Sequence, residues 1–136
     1  VGIAMRFIYS NLGNGTFQGT PLKPGTTVAG DVSFFYDGRN ENGKGLTAGA
    51  VMSNLGGKIT YTQDATAKDY IPANLGLGAM YNAVIDETSK ISFGLDINKL
   101  MVPTPPTNRS DSSLREYRNK SVVGSWFSSF GDAPGG

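Results

Sequence analysis

The chain has 136 residues, the length of one ordinary domain, with 12 Lys and Arg against 11 Asp and Glu for a net charge of +1. That balance creates no long-range field for a polyanion, so nucleic acid gains no support as a partner. Histidine and cysteine are both absent, which removes thiolate nucleophiles, disulfides, the usual zinc ligand sets and the commonest general base.

Nineteen glycines and a hydrophobic content of 38% point to a β-rich chain with many turns, and no apolar run approaches the roughly 18 residues of a membrane-spanning helix. The chain opens within an alternating segment, with no basic region or signal-type apolar core ahead of it. It reads as mature, truncated or both.

Five segments alternate apolar with small or polar residues, each bounded by Gly, Pro, Asn or Asp. The first, 3–10, places Ile3, Met5, Phe7 and Tyr9 on one side and Ala4, Arg6, Ile8 and Ser10 on the other. The second, 26–36, sets Val28, Val32, Phe34 and Tyr36 against Ala29, Asp31, Ser33 and Phe35. Aligning Tyr9 with Val28 puts Arg6 opposite Asp31, an ion pair on the polar face.

The third segment, 45–61, changes phase: Leu46, Ala48, Ala50 and Met52 occupy one, Ile59 and Tyr61 the other. An inserted residue near Ser53 to Gly57 would restore a single apolar face, because a one-residue slip reverses every side chain beyond it. Two short strands meeting at Gly56-Gly57 are the alternative. Segments 74–85 and 90–102 pair across 86–90 so that Tyr81 meets Leu95, Ala83 meets Phe93, Asn82 meets Gly94 and Met80 meets Asp96. One face is then apolar, and the other carries Asp96 and Asn98.

Residues 103–136 form a long loop. Pro103, Pro105 and Pro106 stop the ladder, and Asn108 to Ser113 reads as polar loop. Val122, Val123, Trp126, Phe127 and Phe130 then recur at helical spacing, with Ser121 as N-cap and Gly131 as the stop. Trp126, Phe127 and Phe130 are candidate partner contacts, or else pack on their own loops. Connections alternate in length, with 11–25, 63–73 and 103–136 long and 37–44 and 86–90 short, the pattern of an outer-membrane barrel with one rim of turns and one of loops. Fixing 86–90 as periplasmic makes 103–136 extracellular. A lipocalin-like barrel or a sandwich shares the alternation.

No motif points to catalysis. Asp37 to Gly43 imitates a calcium loop, but Arg39 occupies the third position and Asn42 the place of the required glycine. Gly76-Leu77-Gly78 lies within a strand and lacks a third glycine, so it is no nucleotide fingerprint. The sequons at Asn14, Asn108 and Asn119 discriminate nothing. No catalytic, cofactor-binding or metal-binding residue is assigned.

With those residues in place, the chain resembles the PorV family, also called LptO, of type IX secretion proteins of Bacteroidota within the FadL-like superfamily. The resemblance runs almost end to end. It is carried by Ala4 to Leu12, Ser33 to Tyr36, Ser53 to Ile59, Asp69 to Leu75, Asp96 to Pro106 and Phe127 to Gly136. It implies an all-β antiparallel transmembrane barrel of about fourteen strands when complete, present here as a central segment of five strands with a helix-containing extracellular loop. It further implies a non-enzymatic protein of the bacterial outer membrane. Its partners would be secreted cargo, bound through the C-terminal signal domain, the translocon barrel, the surface sortase or attachment complex, and the lipid bilayer. A FadL-type channel for hydrophobic small molecules is the alternative on the same scaffold, and a soluble β-domain a third. The Pro-rich loop and its aromatic helix favour secretion, and an apolar interior would favour the channel, whereas Arg6, Asp31, Asp96 and Asn98 are expected to point inward.

Overall fold

The computed structural model describes residues 1–13, 15–17, 19–62, 68–108 and 110–132. The sequon at Asn14 and the ends of two expected loops, at 63–67 and 133–136, lie outside them. Alternation yields strands β1 (Gly2–Ser10), β4 (Gly25–Asp37), β5 (Gly45–Gly56), β6 (Asn74–Val84) and β7 (Lys90–Leu100). They form one antiparallel sheet in the order β1-β4-β5-β6-β7, with β1 and β7 as open edges. The connection expected at 11–25 holds a small hairpin of β2 (Thr16–Phe17) and β3 (Thr20–Pro21). Helices α1 (Asp111–Asn119) and α2 (Val122–Ser128) follow β7. Neither is long and apolar enough to cross a membrane.

The period of two sorts the side chains into two faces. One face carries Ile3, Met5, Phe7, Val28, Val32, Phe34, Leu77, Tyr81, Phe93, Leu95 and Ile97, all exposed. An uncovered apolar surface of this extent marks contact with lipid or protein rather than water. The opposite face carries Arg6, Asp31, Ser33, Asn82, Ser92, Asp96 and Asn98 among glycines.

Both sequence-derived registers are two residues out. Tyr81 meets Phe93, Ala79 meets Leu95, Asn82 meets Ser92 and Met80 meets Gly94. Tyr9 meets Thr26, and Phe7 meets Val28. A two-residue slip keeps every side chain on its face, so alternation cannot detect it. The turn decides. The Asp86 carboxylate accepts hydrogen bonds from Thr88 N, Thr88 Oγ1 and Ser89 N, each at 2.8 Å, and the Ile85 N–H donates to Ser89 O. That closure makes Val84 and Lys90 the last pair. Apart from the end of β5, the strand ends fall within two residues of the expected bounds.

The third strand stops at Gly56 rather than continuing to residue 61. Gly30 pairs with Leu55 and Val32 with Met52, so Ser53 and Asn54 together oppose Asp31. This is a bulge where the phase reversal calls for one, with Asn54 at φ 57°. Ile59 and Tyr61 do not rejoin the apolar face. They fold over the opposite face at the rim, where Ile59 and Ile71 bury against Ala29 beside Ile8 and Tyr61. Gly56 permits this, because a Cβ there would overlap Val28 O and Ala29 Cα, backbone atoms that cannot rotate away. Gly56→Ala should therefore destabilise the sheet by about 1–3 kcal/mol, read as a lowered urea midpoint. Gly94→Ala, whose Cβ meets nothing closer than 3.8 Å, is the tolerated control.

The segment read as polar loop at 108–113 instead starts a helix. Ser110 caps α1 by accepting from Ser113 N, with Asp111 in the first turn and Arg118 in the last, each suiting the helix dipole. No residue of α1 is buried, so no apolar stripe announced it. Ser121 caps α2 through Gly124 N at 3.0 Å, and α2 ends at Ser128, with a turn continuing to Gly131.

Candidate functional site

On the polar face the bulge builds a compact network. Arg6 Nη2 donates to Asp31 Oδ1 at 2.6 Å and to Asn54 Oδ1 at 2.7 Å. Asn54 N donates to the same Asp31 oxygen at 2.7 Å, and Asn54 Nδ2 to Pro72 O at 2.9 Å. Arg6 stands directly across from Ala29, and Asp31 across from Ala4, so the long guanidinium reaches its partner diagonally. Asn54 is the member that sequence reasoning missed. The phase reversal located it, and the tolerance of Asn for positive φ was the available signal.

Asp96 and Asn98 share this face but join a separate group, facing Gly78 and Gly76 across the β6–β7 pair. Asn98 Oδ1 accepts from Asn74 Nδ2 at 3.3 Å, and toward the other end of the β6–β7 pair Ser92 Oγ donates to Asn82 Oδ1 at 2.6 Å. Between the groups runs a trough of about 530 Å³, floored by Gly49, Gly76, Gly78 and Gly94 and flanked by Phe35, Met80 and Asp96. Among the described residues, no three carboxylates gather to hold a metal ion. Asp37, which would open the imitation calcium loop, instead accepts from Arg39 Nε at 2.8 Å.

Asp31 holds both a side chain and the N–H that the bulge frees, whereas Arg6 is half-exposed. An exposed ion pair contributes little, but a bulge N–H without its acceptor has no other partner in the ladder. Asp31→Ala is therefore expected to lower the thermal midpoint more than Arg6→Gln. Equal midpoints would show that the backbone bond is unimportant.

At the rim, the last turn of α1 is fastened to the segment between β5 and β6. Lys58 Nζ donates to Arg118 O at 2.5 Å and to Lys120 O at 2.7 Å. Tyr70 Oη donates to Tyr117 O at 3.0 Å and Lys120 O at 2.8 Å. The Lys58 ammonium lies 4.4 Å from the Tyr70 ring centroid, and Tyr70 meets Tyr117 edge-on at 5.5 Å. These donors satisfy carbonyls that a helix C-terminus leaves open. Burial raises the Tyr70 and Tyr117 hydroxyls above the usual phenol range. Burial, and then the charge of Lys68, holds Lys58 below its ordinary value.

The three aromatic candidates do not behave alike. Ser125 and Ser129 are the buried residues of this segment, with their hydroxyls donating to Val122 O and Trp126 O. Trp126 is half-buried, while Phe127 is 71% and Phe130 56% exposed. Lys99 Nζ stands 5.8 Å from the Phe130 ring, and Asp132 ties back to Thr104 N at 2.9 Å.

No match is found among curated proteins. Residues 1–107 match the family described as type IX secretion system protein PorV, a span that takes in all five long strands and ends before α1.

Proposed function

The chain belongs to the PorV family and is a component of the type IX secretion system; on that premise we propose that it forms part of the wall of an outer-membrane β-barrel that carries secreted cargo. The apolar face meets lipid, and the face bearing Arg6, Asp31, Asp96 and Asn98 lines the lumen. Further strands pair with the edges at β1 and β7, because open backbone groups are not tolerated in hydrocarbon. With 85–89 as a periplasmic turn, parity places the connections at 11–24, 57–73 and 101–132 together on the cell exterior.

Cargo is held through its C-terminal signal domain, received from the translocon barrel and passed to the surface complex that removes the signal and attaches the product. Trp126, Phe127 and Phe130 are the proposed contact residues. The observation that carries this reading is an exposed aromatic pair on a helical loop fastened to the rim of the sheet, in a member of a secretion family. No catalytic step is assigned. The channel for hydrophobic small molecules has Phe35 and Met80 beside the trough in its favour, but Arg6, Asp31, Asp96 and Asn98 share that face and weigh against it.

Affinity isolation of the full-length protein from detergent-solubilised envelopes tests the proposal. Cargo that retains its signal domain, together with the translocon barrel, should co-purify. Recovery of bound fatty acids with neither protein class would overturn the cargo role.

A further inference from the structure

Lys58, Lys68, Arg118 and Lys120 come together from three stretches of chain around a cavity of about 460 Å³, completed by Asn119, Ser121 and Val122. The whole chain carries a net charge of only +1, so this is a local concentration of positive charge. The carboxylate described near it is Asp69, with Oδ1 3.9 Å from Arg118 Nε and a mostly exposed side chain. Lys58 is occupied by the carbonyls of α1. Lys68 and Lys120 are exposed, and Ser121 Oγ, which accepts from Gly124 N, leaves its own O–H to donate.

We propose that this rim cavity binds a terminal phosphate group, carried either on a lipid head group or as free inorganic phosphate. Among the described residues, four cations against one carboxylate favour a dianion over a single carboxylate. Donors converging from separate segments suit the several oxygens of a tetrahedral anion, and a guanidinium beside ammonium groups is a recurrent phosphate-binding set. Burial lowers Lys58 first and the like charge of Lys68 adds to it; the same anion offsets the second of these. Placement at the rim that carries the long connections would bring a head group within reach if the sheet stands in a membrane. Only the lipid source depends on that orientation.

The test uses the detergent-solubilised full-length protein with three probes: inorganic phosphate, dioctanoyl phosphatidic acid and dioctanoyl phosphatidylcholine, each titrated by calorimetry at low salt. Similar binding of inorganic phosphate and phosphatidic acid identifies free phosphate as the ligand. Phosphatidic acid binding about tenfold more tightly, with phosphatidylcholine inert, identifies the lipid. In either case Lys68→Gln with Lys120→Gln should weaken binding about tenfold at an unchanged melting midpoint, and raised salt should weaken it further. Lys120→Glu alone gives the same direction of change if the double variant fails to fold. Absence of binding by both phosphate probes, binding of phosphatidylcholine equal to phosphatidic acid, or unaltered affinity in the folded variants overturns the proposal. The readout does not involve secretion, so its failure leaves the cargo role standing.

Discussion

Leu95→Arg is expected to destabilise the protein in a bilayer by about 2–4 kcal/mol, the cost of a cationic side chain on the lipid face near the midplane of a barrel. Leu95 is 68% exposed on the apolar face and is the central residue of the eleven in β7. Eleven residues at a tilt near 45° span roughly 25 Å, the height of a barrel's apolar band. Depth and face give two internal controls. Ile91→Arg, on the same face one residue from the end of β7, should lose only about 0–1 kcal/mol. Asp96→Lys, adjacent in sequence but on the other face, exchanges one charge for another on the face proposed to line the lumen and should leave assembly intact. Midpoints of urea unfolding in lipid vesicles provide the measurement. If Leu95→Arg assembles normally while Asp96→Lys fails, the wall is oriented the other way round.

The faces on which this prediction depends were legible in the sequence because alternation records them directly. Ile91, Phe93, Leu95 and Ile97 share a side whatever the strand pairs with. Register was not legible: a displacement of two residues leaves each face unchanged, and the Asp86 turn that fixes it depends on side-chain to backbone hydrogen bonds. The bulge could be anticipated from the phase change, yet its consequence could not. Ile59 and Tyr61 carried the right parity for the apolar face, but the chain leaves the ladder at Gly56, so parity beyond that point has no meaning. Helix α1 escaped because none of its residues is fully buried, and its signals are a serine cap and charges suited to the dipole. The Arg6–Asp31 pair formed despite the wrong register, since an arginine spans the diagonal as readily as the direct position.

Replacing Phe127 and Phe130 together by Ser should leave the barrel folded while cargo accumulates in the periplasm. The helical spacing of Val123, Trp126, Phe127 and Phe130 suggested one apolar face packing as a unit, but the structure divides it. Ser125 and Ser129 are the buried positions of this segment, and the two phenylalanines are mostly exposed. Trp126 is half-buried, so Trp126→Ser removes packing as well as any contact and is the poorer probe. An aromatic at the centre of an interface commonly contributes about 2 kcal/mol or more, roughly thirtyfold in affinity for a single side chain. Losing two should reduce delivery by at least that factor. Loss of self-packing predicts a different outcome: a lowered melting midpoint with cargo reaching the surface normally. Because Phe127 and Phe130 are mostly exposed, their replacement removes few internal contacts beyond the approach of Lys99 to the Phe130 ring, and an unchanged midpoint is the condition under which the secretion readout is interpretable. Normal surface attachment at that unchanged midpoint would remove Phe127 and Phe130 from the contact surface and leave the cargo role to the polar face of the sheet.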